Sequence, residues 1–398
     1  MKDTIPFARP FVGREEEEAA IRVLRSGWLT TGAEALAFEK EFAEFLKDTK
    51  LASGLTSGLA SDHADNLRCL AVNSATSGLH LALEACGITA GDIVLVPSYT
   101  FTATAEVVRY LGADPVFVDV APGAFNMNPA ALEQALLRLP RGKPKAVIPV
   151  HFGGLPCDMG AIIPIARRYG LKIIEDAAHS FPSYAGTIGD AGVFSFYATK
   201  TITTGEGGMV ACRDEEIARR ISIMRSHCID RPVWNRYSDV RASWHYEVVA
   251  PGFKYNLPDI LAAVGRVQLS RAGELFRMRT VIAEAYDAAF SGDERFLIPP
   301  TGDGDARHLY PLRLNPHGLR LSRDEVIGKL KEAGVGVSVH FIPLHTMPYY
   351  KDRYNLAEDD FPETMKSFKQ EISLPIWPGM SESQVSRVIE VLRDTVCR

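Results

Sequence analysis

The sequence predicts an α/β chain in two parts. Residues 1–270 are expected to form a three-layer large domain around a mainly parallel sheet, and residues 271–398 a small α+β domain. Three observations lead there. From Leu70 to Tyr169, short apolar runs of strand length alternate with stretches of helical period. Such alternation needs crossover connections, which make the strands parallel and place helices on both faces. Near Arg279 that rhythm gives way to a long helical stretch to Phe290, a Pro299-Pro300 pair and short mixed elements. The length of 398 residues is enough for two cores.

Bulk properties narrow the function class. A hydrophobic share of 46% and a charged share of 23% are ordinary for a soluble globular protein. The net charge of −5 leaves no electrostatic footprint for nucleic acid. No apolar run is long enough to span a bilayer. Met1-Lys2-Asp3-Thr4-Ile5-Pro6 has no apolar signal core, so a cytoplasmic protein without membrane or nucleic-acid partners is expected. Cys69, Cys86, Cys157, Cys212, Cys228 and Cys397 are scattered and form no CxxC pair, which argues against a metal site or a disulfide framework. Buried free thiols in a reducing compartment are the simpler expectation.

Taken in order, Glu15 to Arg25 reads as an amphipathic helix with acids in its first turn, stopped by Gly27. Ser26 to Gly32 then reads as a C-cap and turn. A second helix covers Ala33 to Leu46. Lys50 to Ser61 is rich in small residues without a period and reads as a surface loop or a short extra helix. Leu70 to Asn73 is a strand, and Ser74-Ala75-Thr76-Ser77-Gly78 opens a helix to Ala85. Small hydroxyl residues there serve as ordinary N-caps, and they also leave backbone N–H groups free for an anion. Asp92 to Pro97 is the next strand, followed by Ser98 to Thr104, whose aromatics can cap a core. The alternation continues through a helix to Leu111, a strand at Pro115 to Val118, a helix from Pro129 to Leu139, a strand at Ala146 to Val150 and a helix from Met159 to Tyr169.

Leu171 to Cys212 organises the chain. Leu171 to Ile174 is a buried strand ending in Glu175 and Asp176, with His179 just beyond; Gly192 to Phe196 is a strand delivering Lys200 into a Thr/Gly-rich loop; Gly208 to Cys212 closes the unit. A carboxylate and a lysine at the ends of short apolar strands sit where α/β sheets place ligand groups. The pair suits pyridoxal 5'-phosphate (PLP), with the lysine as covalent tether and the acid as partner of the pyridinium nitrogen. Beyond it, Asp214 to Ser226 reads as a helix, followed by a polar loop with His227, Asp230, Arg231, Trp234, Arg236 and Tyr237. Pro258 starts a long helix running past Leu269. The small domain has strands at Tyr310 to Leu314, Gly336 to Phe341 and Ile372 to Leu374. Its helices follow the capping box Ser322-Arg323-Asp324-Glu325 and run from Glu382 to Val396.

Three words in this stretch carry a resemblance to the DegT/DnrJ/EryC1/StrS sugar aminotransferases, a family of fold type I PLP enzymes. They are Glu175-Asp176-Ala177-Ala178-His179, Phe194-Ser195-Phe196-Tyr197-Ala198-Thr199-Lys200 and Thr204-Gly205-Glu206-Gly207-Gly208. Flanking matches extend it over nearly the whole chain, including Val249 to Asp259 and His340-Phe341-Ile342-Pro343-Leu344-His345. The resemblance implies a PLP-transferase large domain. In it Lys200 is tether and general base, and Asp176 partners the ring nitrogen. His179 lies beside the phenolic oxygen, and Phe101 stacks on the ring. Thr76, Ser77 and Ser195 hold the phosphate. It places Trp28, Leu29 and Thr30 beside the sugar. His340 and His345 lie in a substrate-side segment, although either one can equally be structural. Lys254 and Asn256 reach a neighbouring subunit's phosphate site in a homodimer; relatives often carry Asn and Arg at these two places, so Lys254 offers a cation and Asn256 a neutral donor. The connection around Lys50 to Ser61 is usually shorter in relatives.

The implied reaction is a ping-pong transamination. Glutamate leaves pyridoxamine phosphate and 2-oxoglutarate, and a keto sugar on a nucleotide diphosphate, a 4-keto-6-deoxyhexose on UDP or dTDP, takes the amine. Such amino sugars go into polysaccharides or antigens. Lys200 argues against the related sugar 3-dehydratases, which carry His there. A C3-keto sugar or a cyclitol as acceptor stays open, as does a non-catalytic regulatory module.

Overall fold

The computed structural model describes residues 4–52, 66–140, 142–230 and 246–397. Helix α1 spans Arg14–Ser26, α2 Ala33–Ala52, and strand β1 Arg68–Val72. Then come α3 (Ala75–Ala85), β2 (Ile93–Pro97), α4 (Ala103–Tyr110), β3 (Asp114–Val118), α5 (Pro129–Arg138), β4 (Pro144–Val147) and α6 (Met159–Tyr169). β5 (Lys172–Asp176), β6 (Ala191–Ser195), β7 (Gly208–Cys212) and α7 (Glu215–Met224) follow. The rest of the described chain holds α8 (Asp259–Ser270), α9 (Ala272–Phe290), β8 (Phe296–Leu297), β9 (Tyr310–Leu314), α10 (Arg323–Glu332), α11 (Pro348–Tyr354), α12 (Pro362–Gln370), β10 (Glu371–Leu374) and α13 (Glu382–Cys397). Among the described residues, no helix is long and apolar enough to cross a membrane.

The seven-stranded sheet has the order β1-β7-β6-β5-β4-β2-β3. Only β7 runs against its neighbours, so the sheet is mainly parallel and the α/β class holds. Because side chains alternate along a strand, each strand feeds two cores. Leu70 and Val72 of β1 and Val193 of β6 pack with α3, α4 and α7 on one face. Cys69, Ala71 and Phe194 pack on the other face against Phe38, Phe42 and Leu46 of α2 and against α8. Leu95, Val147 and Ile173 extend that second layer over α5 and α6.

The second sheet, β10-β9-β8, is antiparallel. Its core takes Val326 and Leu330 of α10 and Val388 and Leu392 of α13. Helix α9 carries the chain from one core to the other: Leu275 packs with the large sheet's core, and Ile282, Tyr286 and Phe290 pack with the small one. Ile5, from the start of the chain, also packs in the small core and bridges to Val335.

Several expectations need correction. The segment Gly336 to Phe341 is not a strand. It makes one single bridge, Ser338 to Ser373, just after the bridge of Val335 to Ile5. The reason is visible at His340, whose N–H is taken by the Glu371 carboxylate at 3.0 Å instead of a strand carbonyl. The helix expected from Pro258 past Leu269 is α8, which ends at Ser270; at Arg271, whose N–H reaches Gln268 O at 3.2 Å, a closure tighter than the α-helical bond separates it from α9. Helices α11 and α12 and the short strand β8 have no counterpart among the sequence expectations. Their segments, at seven, nine and two residues, are too short to show a period. Helix α2 runs six residues beyond Leu46. The expected insertion falls mostly on residues 53–65, and Arg231, Trp234, Arg236 and Tyr237 on 231–245, all outside the described residues.

Candidate active site

A cavity of about 480 Å³ opens at the carboxyl ends of β5 and β6, with the start of β7 beside them. Alternation along β5 separates its two acids. Glu175 turns away from the cavity, where its carboxylate accepts the His151 Nε2–H at 3.0 Å and the N–H groups of Gly186, Ile188 and Gly189. Burial would raise its pKa, but those donors hold it below the usual carboxylate range. Glu175 is thus a structural anchor for the loop after β5.

Asp176 faces the cavity. Its Oδ2 accepts from Thr104 Oγ1 at 2.9 Å, itself 2.8 Å from Thr100 Oγ1, and its Oδ1 accepts the Ala178 N–H at 3.2 Å. Burial pushes this carboxyl's pKa up, against the pull of Thr104, Ala178 and the Lys200 charge. A cationic N–H placed beside it would restore the ionised form.

Lys200 rides on a loop pinned at both ends. Phe196 N–H donates to Gly207 O at 2.9 Å, Thr204 N–H returns to Phe196 O at 3.0 Å, and Gly205 takes the left-handed φ of 81° that closes the turn. The amine lines the cavity with Asp176. Burial drives its pKa down to about 8, opposed by Asp176 and assisted by the Arg279 charge.

The opposite wall is the N-terminus of α3. Its hydrogen-bond ladder begins at Gly78 N–H to Ser74 O, and the Ser77 N–H is taken by Ser74 Oγ, which leaves the N–H groups of Ala75 and Thr76 outside the ladder. Ser74, Ala75, Thr76 and Ser195 line the cavity here. Gly208 permits the close approach, because any Cβ on it would sit 2.8 Å from Ala75 N. Phe101, 56% exposed, and Ala178 are also on the lining. An acid, a lysine, an aromatic face and free helix N–H groups around one space fit a phosphorylated, protonated heteroaromatic ring such as PLP.

His179 lines the cavity and accepts the Gly153 N–H on Nδ1 at 3.2 Å, so its remaining proton lies on Nε2. Burial, then the charges of Lys200 and His340, hold its pKa well below the ordinary histidine value. His340 is on the lining as well.

Other expected residues lie elsewhere. The Ser77 hydroxyl is turned into the capping exchange, donating to Ser74 O at 2.7 Å, and does not line the cavity. His345 is fully buried, hydrogen-bonded through Nδ1 to Ser98 Oγ and packed on Phe361 at 4.5 Å. It takes the structural alternative. Trp28, Leu29 and Thr30 are apart from Lys200: the Trp28 indole donates to Thr31 O at 3.3 Å, Leu29 is 48% exposed, and Thr30 lines a separate surface groove. Asn256 lines that groove too and donates to Thr31 Oγ1 at 2.6 Å, while Lys254 is exposed and bridges to Ser226.

Sequence reasoning missed several wall residues. His308 lines the cavity with its ring 4.7 Å from that of His179, from a loop no period marks. Arg279, buried in α9, donates to the carbonyls of His308 at 3.0 Å, Ile376 at 2.8 Å and Thr199 at 3.3 Å. All three residues line the cavity, so one guanidinium ties the Lys200 loop to the segments that carry His308 and Ile376. In sequence this arginine looks like any solvated helix residue.

Comparisons with known proteins agree with this geometry. The model of the DegT/DnrJ/EryC1/StrS aminotransferase family matches residues 10–393. The spore coat polysaccharide biosynthesis protein SpsC of Bacillus subtilis is 42% identical over 400 residues, covering 98% of this chain and 97% of that protein. The Streptococcus pneumoniae protein Spr1654, described as a sugar aminotransferase, superposes in its PMP form with a TM-score of 0.85 at 29% identity, over 98% of this chain and 99% of that one. Its PLP form gives 0.83. Helicobacter pylori PseC, an aminotransferase involved in the biosynthesis of pseudoaminic acid, gives 0.85 at 26% identity, over 99% of both chains.

Proposed function

The chain belongs to the DegT/DnrJ/EryC1/StrS aminotransferase family and is a PLP-dependent sugar aminotransferase, and from that premise we propose that it moves the amino group of L-glutamate to the C4 keto group of a UDP- or dTDP-linked 4-keto-6-deoxyhexose by a ping-pong mechanism. The observation that carries the reading is the meeting of Lys200, Asp176 and the α3 N-terminus in one cavity.

Bound PLP supplies an electron sink that acidifies the carbon–hydrogen bond beside the amine in transit. The protein's groups do the rest. With its pKa near 8, Lys200 has a substantial neutral fraction close to neutral pH; its Nζ can attack an aldehyde and afterwards carry a proton between two carbon atoms. Asp176, aimed by Thr104 and Ala178, would hold the ring nitrogen's proton through a charge-assisted bond. The Nε2–H of His179 would donate to the phenolic oxygen. Thr76, Ser195 and the free N–H groups of α3 would take the phosphate, with the capping hydroxyl of Ser77 holding that turn in shape. Phe101 would stack on the ring and exclude water from it. His340 meets the sugar.

The working unit in this reading is a homodimer. Trp28, Leu29, Thr30, Lys254 and Asn256 complete the neighbour's site, which accords with their place away from their own Lys200 and with the exposed apolar Leu29, Leu36, Val248 and Val249 nearby in the chain. The location is the cytoplasm, where the six free thiols stay reduced.

Two measurements test this. Purified enzyme with PLP and glutamate is expected to release 2-oxoglutarate, and mass spectrometry of nucleotide keto sugars is expected to show amination of a 4-keto-6-deoxy substrate. Amination only of C3-keto sugars or cyclitols would overturn the acceptor; no 2-oxoglutarate would overturn the donor.

The lysine's environment also sets a pH dependence. Only the neutral amine attacks, and its fraction rises about tenfold per pH unit below the pKa. Capture of PLP by apoenzyme, followed by absorbance, should therefore accelerate as pH rises and level off above about 8. Acceleration continuing to pH 10 would show that burial does not tune Lys200.

A further inference from the structure

Behind the cavity wall lies a second polar chain, of which the proposed reaction uses only the His340 ring. His340 Nδ1 lies 2.8 Å from Ser373 Oγ, and Ser373 Oγ lies 2.5 Å from Glu371 Oε1. The other carboxyl oxygen, Oε2, accepts the backbone N–H of His340 at 3.0 Å. Glu371 thus grips His340 at both ends, directly at its backbone and through Ser373 at its ring. Glu371 and Ser373 alternate on β10, so they share one face. Both are completely buried, and neither lines the cavity, whereas His340 does.

A serine hydroxyl has one proton to give. When Ser373 donates it to an ionised Glu371, Ser373 must accept from Nδ1–H, and the His340 Nε2 is left as a bare acceptor. When Glu371 carries the proton, it donates to Ser373, Ser373 donates to Nδ1, and Nε2 bears the hydrogen. Nε2 is the ring atom left over for the cavity, so the buried carboxyl decides what the wall offers a substrate.

We propose that Glu371 and Ser373 are positioning residues that set the tautomer of His340, so that near neutral pH the ring presents an N–H donor to an oxygen of the sugar substrate. The sugar rests on the function proposed above; the tautomer coupling does not. Interconversion is balanced: one proton enters at Nε2, the Nδ1 proton passes to Ser373 Oγ, and the Ser373 proton passes to Glu371 Oε1, leaving the imidazole neutral throughout.

The surroundings favour the donor state. Burial pushes the Glu371 carboxyl up to about 8, against the bonds from Ser373 and the His340 N–H and the charge of Arg323. Tyr99 is also coupled to it, and Arg313 is its cross-strand neighbour on β9. Burial and then the Lys200 charge lower the His340 pKa to about 4, and a charge on His340 would oppose one on His179 or His308, so the ring stays neutral and its tautomer is the variable that remains.

The test is nitrogen-15 NMR of histidine-labelled full-length holoenzyme, with the His340 signals assigned by their loss in His340→Gln. In the wild type, His340 is expected as Nε2–H at pH 6.5 and as Nδ1–H at pH 9.5. Glu371→Gln should hold Nε2–H at both pH values, because its amide oxygen must accept the His340 N–H and its NH2 must donate to Ser373. Ser373→Ala should remove the pH response while keeping the fold. In parallel, the KM for the acceptor should rise several-fold between these pH values in the wild type and stay flat in Glu371→Gln, with kcat moving less. The same tautomer in wild type and Glu371→Gln at both pH values would overturn the proposal. A tautomer switch with no amination of nucleotide sugars would uphold the coupling and refute the substrate assignment instead.

Discussion

Lys200→Ala enzyme is expected to lose at least about 10⁴-fold in turnover and to remain folded. General acid–base work alone is worth about 10²–10⁴-fold, and the covalent tether is lost with it. The fold should survive because the side chain lies on a loop after β6 and faces the cavity, outside the core that Phe194 and Phe196 form with α2. Removing a buried amine whose charged form is disfavoured also relieves a cost. The checks are glutamate-dependent release of 2-oxoglutarate, circular dichroism and the melting temperature. A Lys200→Ala variant turning over at the wild-type rate would refute the role proposed for this lysine.

Asp176→Asn should cost about 10²–10³-fold in turnover, the scale of losing one preorganised electrostatic partner at the reacting centre. The amide keeps the size of the carboxylate: its single oxygen can accept the Ala178 N–H, and its NH2 can donate to Thr104 Oγ1 once that hydroxyl turns its proton to Thr100, so the cavity wall should hold its shape. What it cannot supply is a negative charge opposite a cationic ring nitrogen. The loss should therefore fall on kcat, with the absorbance of bound cofactor altered and its affinity reduced. Asp176→Glu retains the charge in a longer arm and is expected to recover only part of the activity. Near-normal turnover in Asp176→Asn would mean that this carboxyl serves the fold alone.

Much of the site was legible because its chemistry is concentrated in one stretch. Asp176, Lys200 and His179 stand at strand ends that apolar runs mark clearly, and Thr76 follows a serine that caps a well-formed helix. The same local logic failed where one residue has two uses. Ser77 looks like a phosphate ligand by position, but the capping exchange with Ser74 takes its hydroxyl. His340 and His345 share one short word and are indistinguishable in sequence, yet the chain turns between them so that one meets the cavity and the other is packed on Phe361.

Remote contacts lie beyond any periodic signal. Helix α2 has no cap of its own in sequence; the Asp259 carboxylate, more than 220 residues away, accepts the N–H groups of Gly32, Glu34 and Ala35. Arg279 sits in a helix whose pattern says nothing of the three carbonyls it binds.

Local sequence determines the alternation of strands and helices from Leu70 to Cys212, the α/β class and the lysine and acid at the ends of neighbouring strands, because strand alternation, capping and strand-end placement act over a few neighbouring residues; it does not reach α11, α12 or β8. The tertiary structure alone decided which histidines reach the cavity, that His308 and Arg279 belong to its wall, and that a buried Glu371 stands behind His340. Those depend on bringing together segments as far apart as Phe7 and Ile376, and distance along the chain carries no record of that closeness.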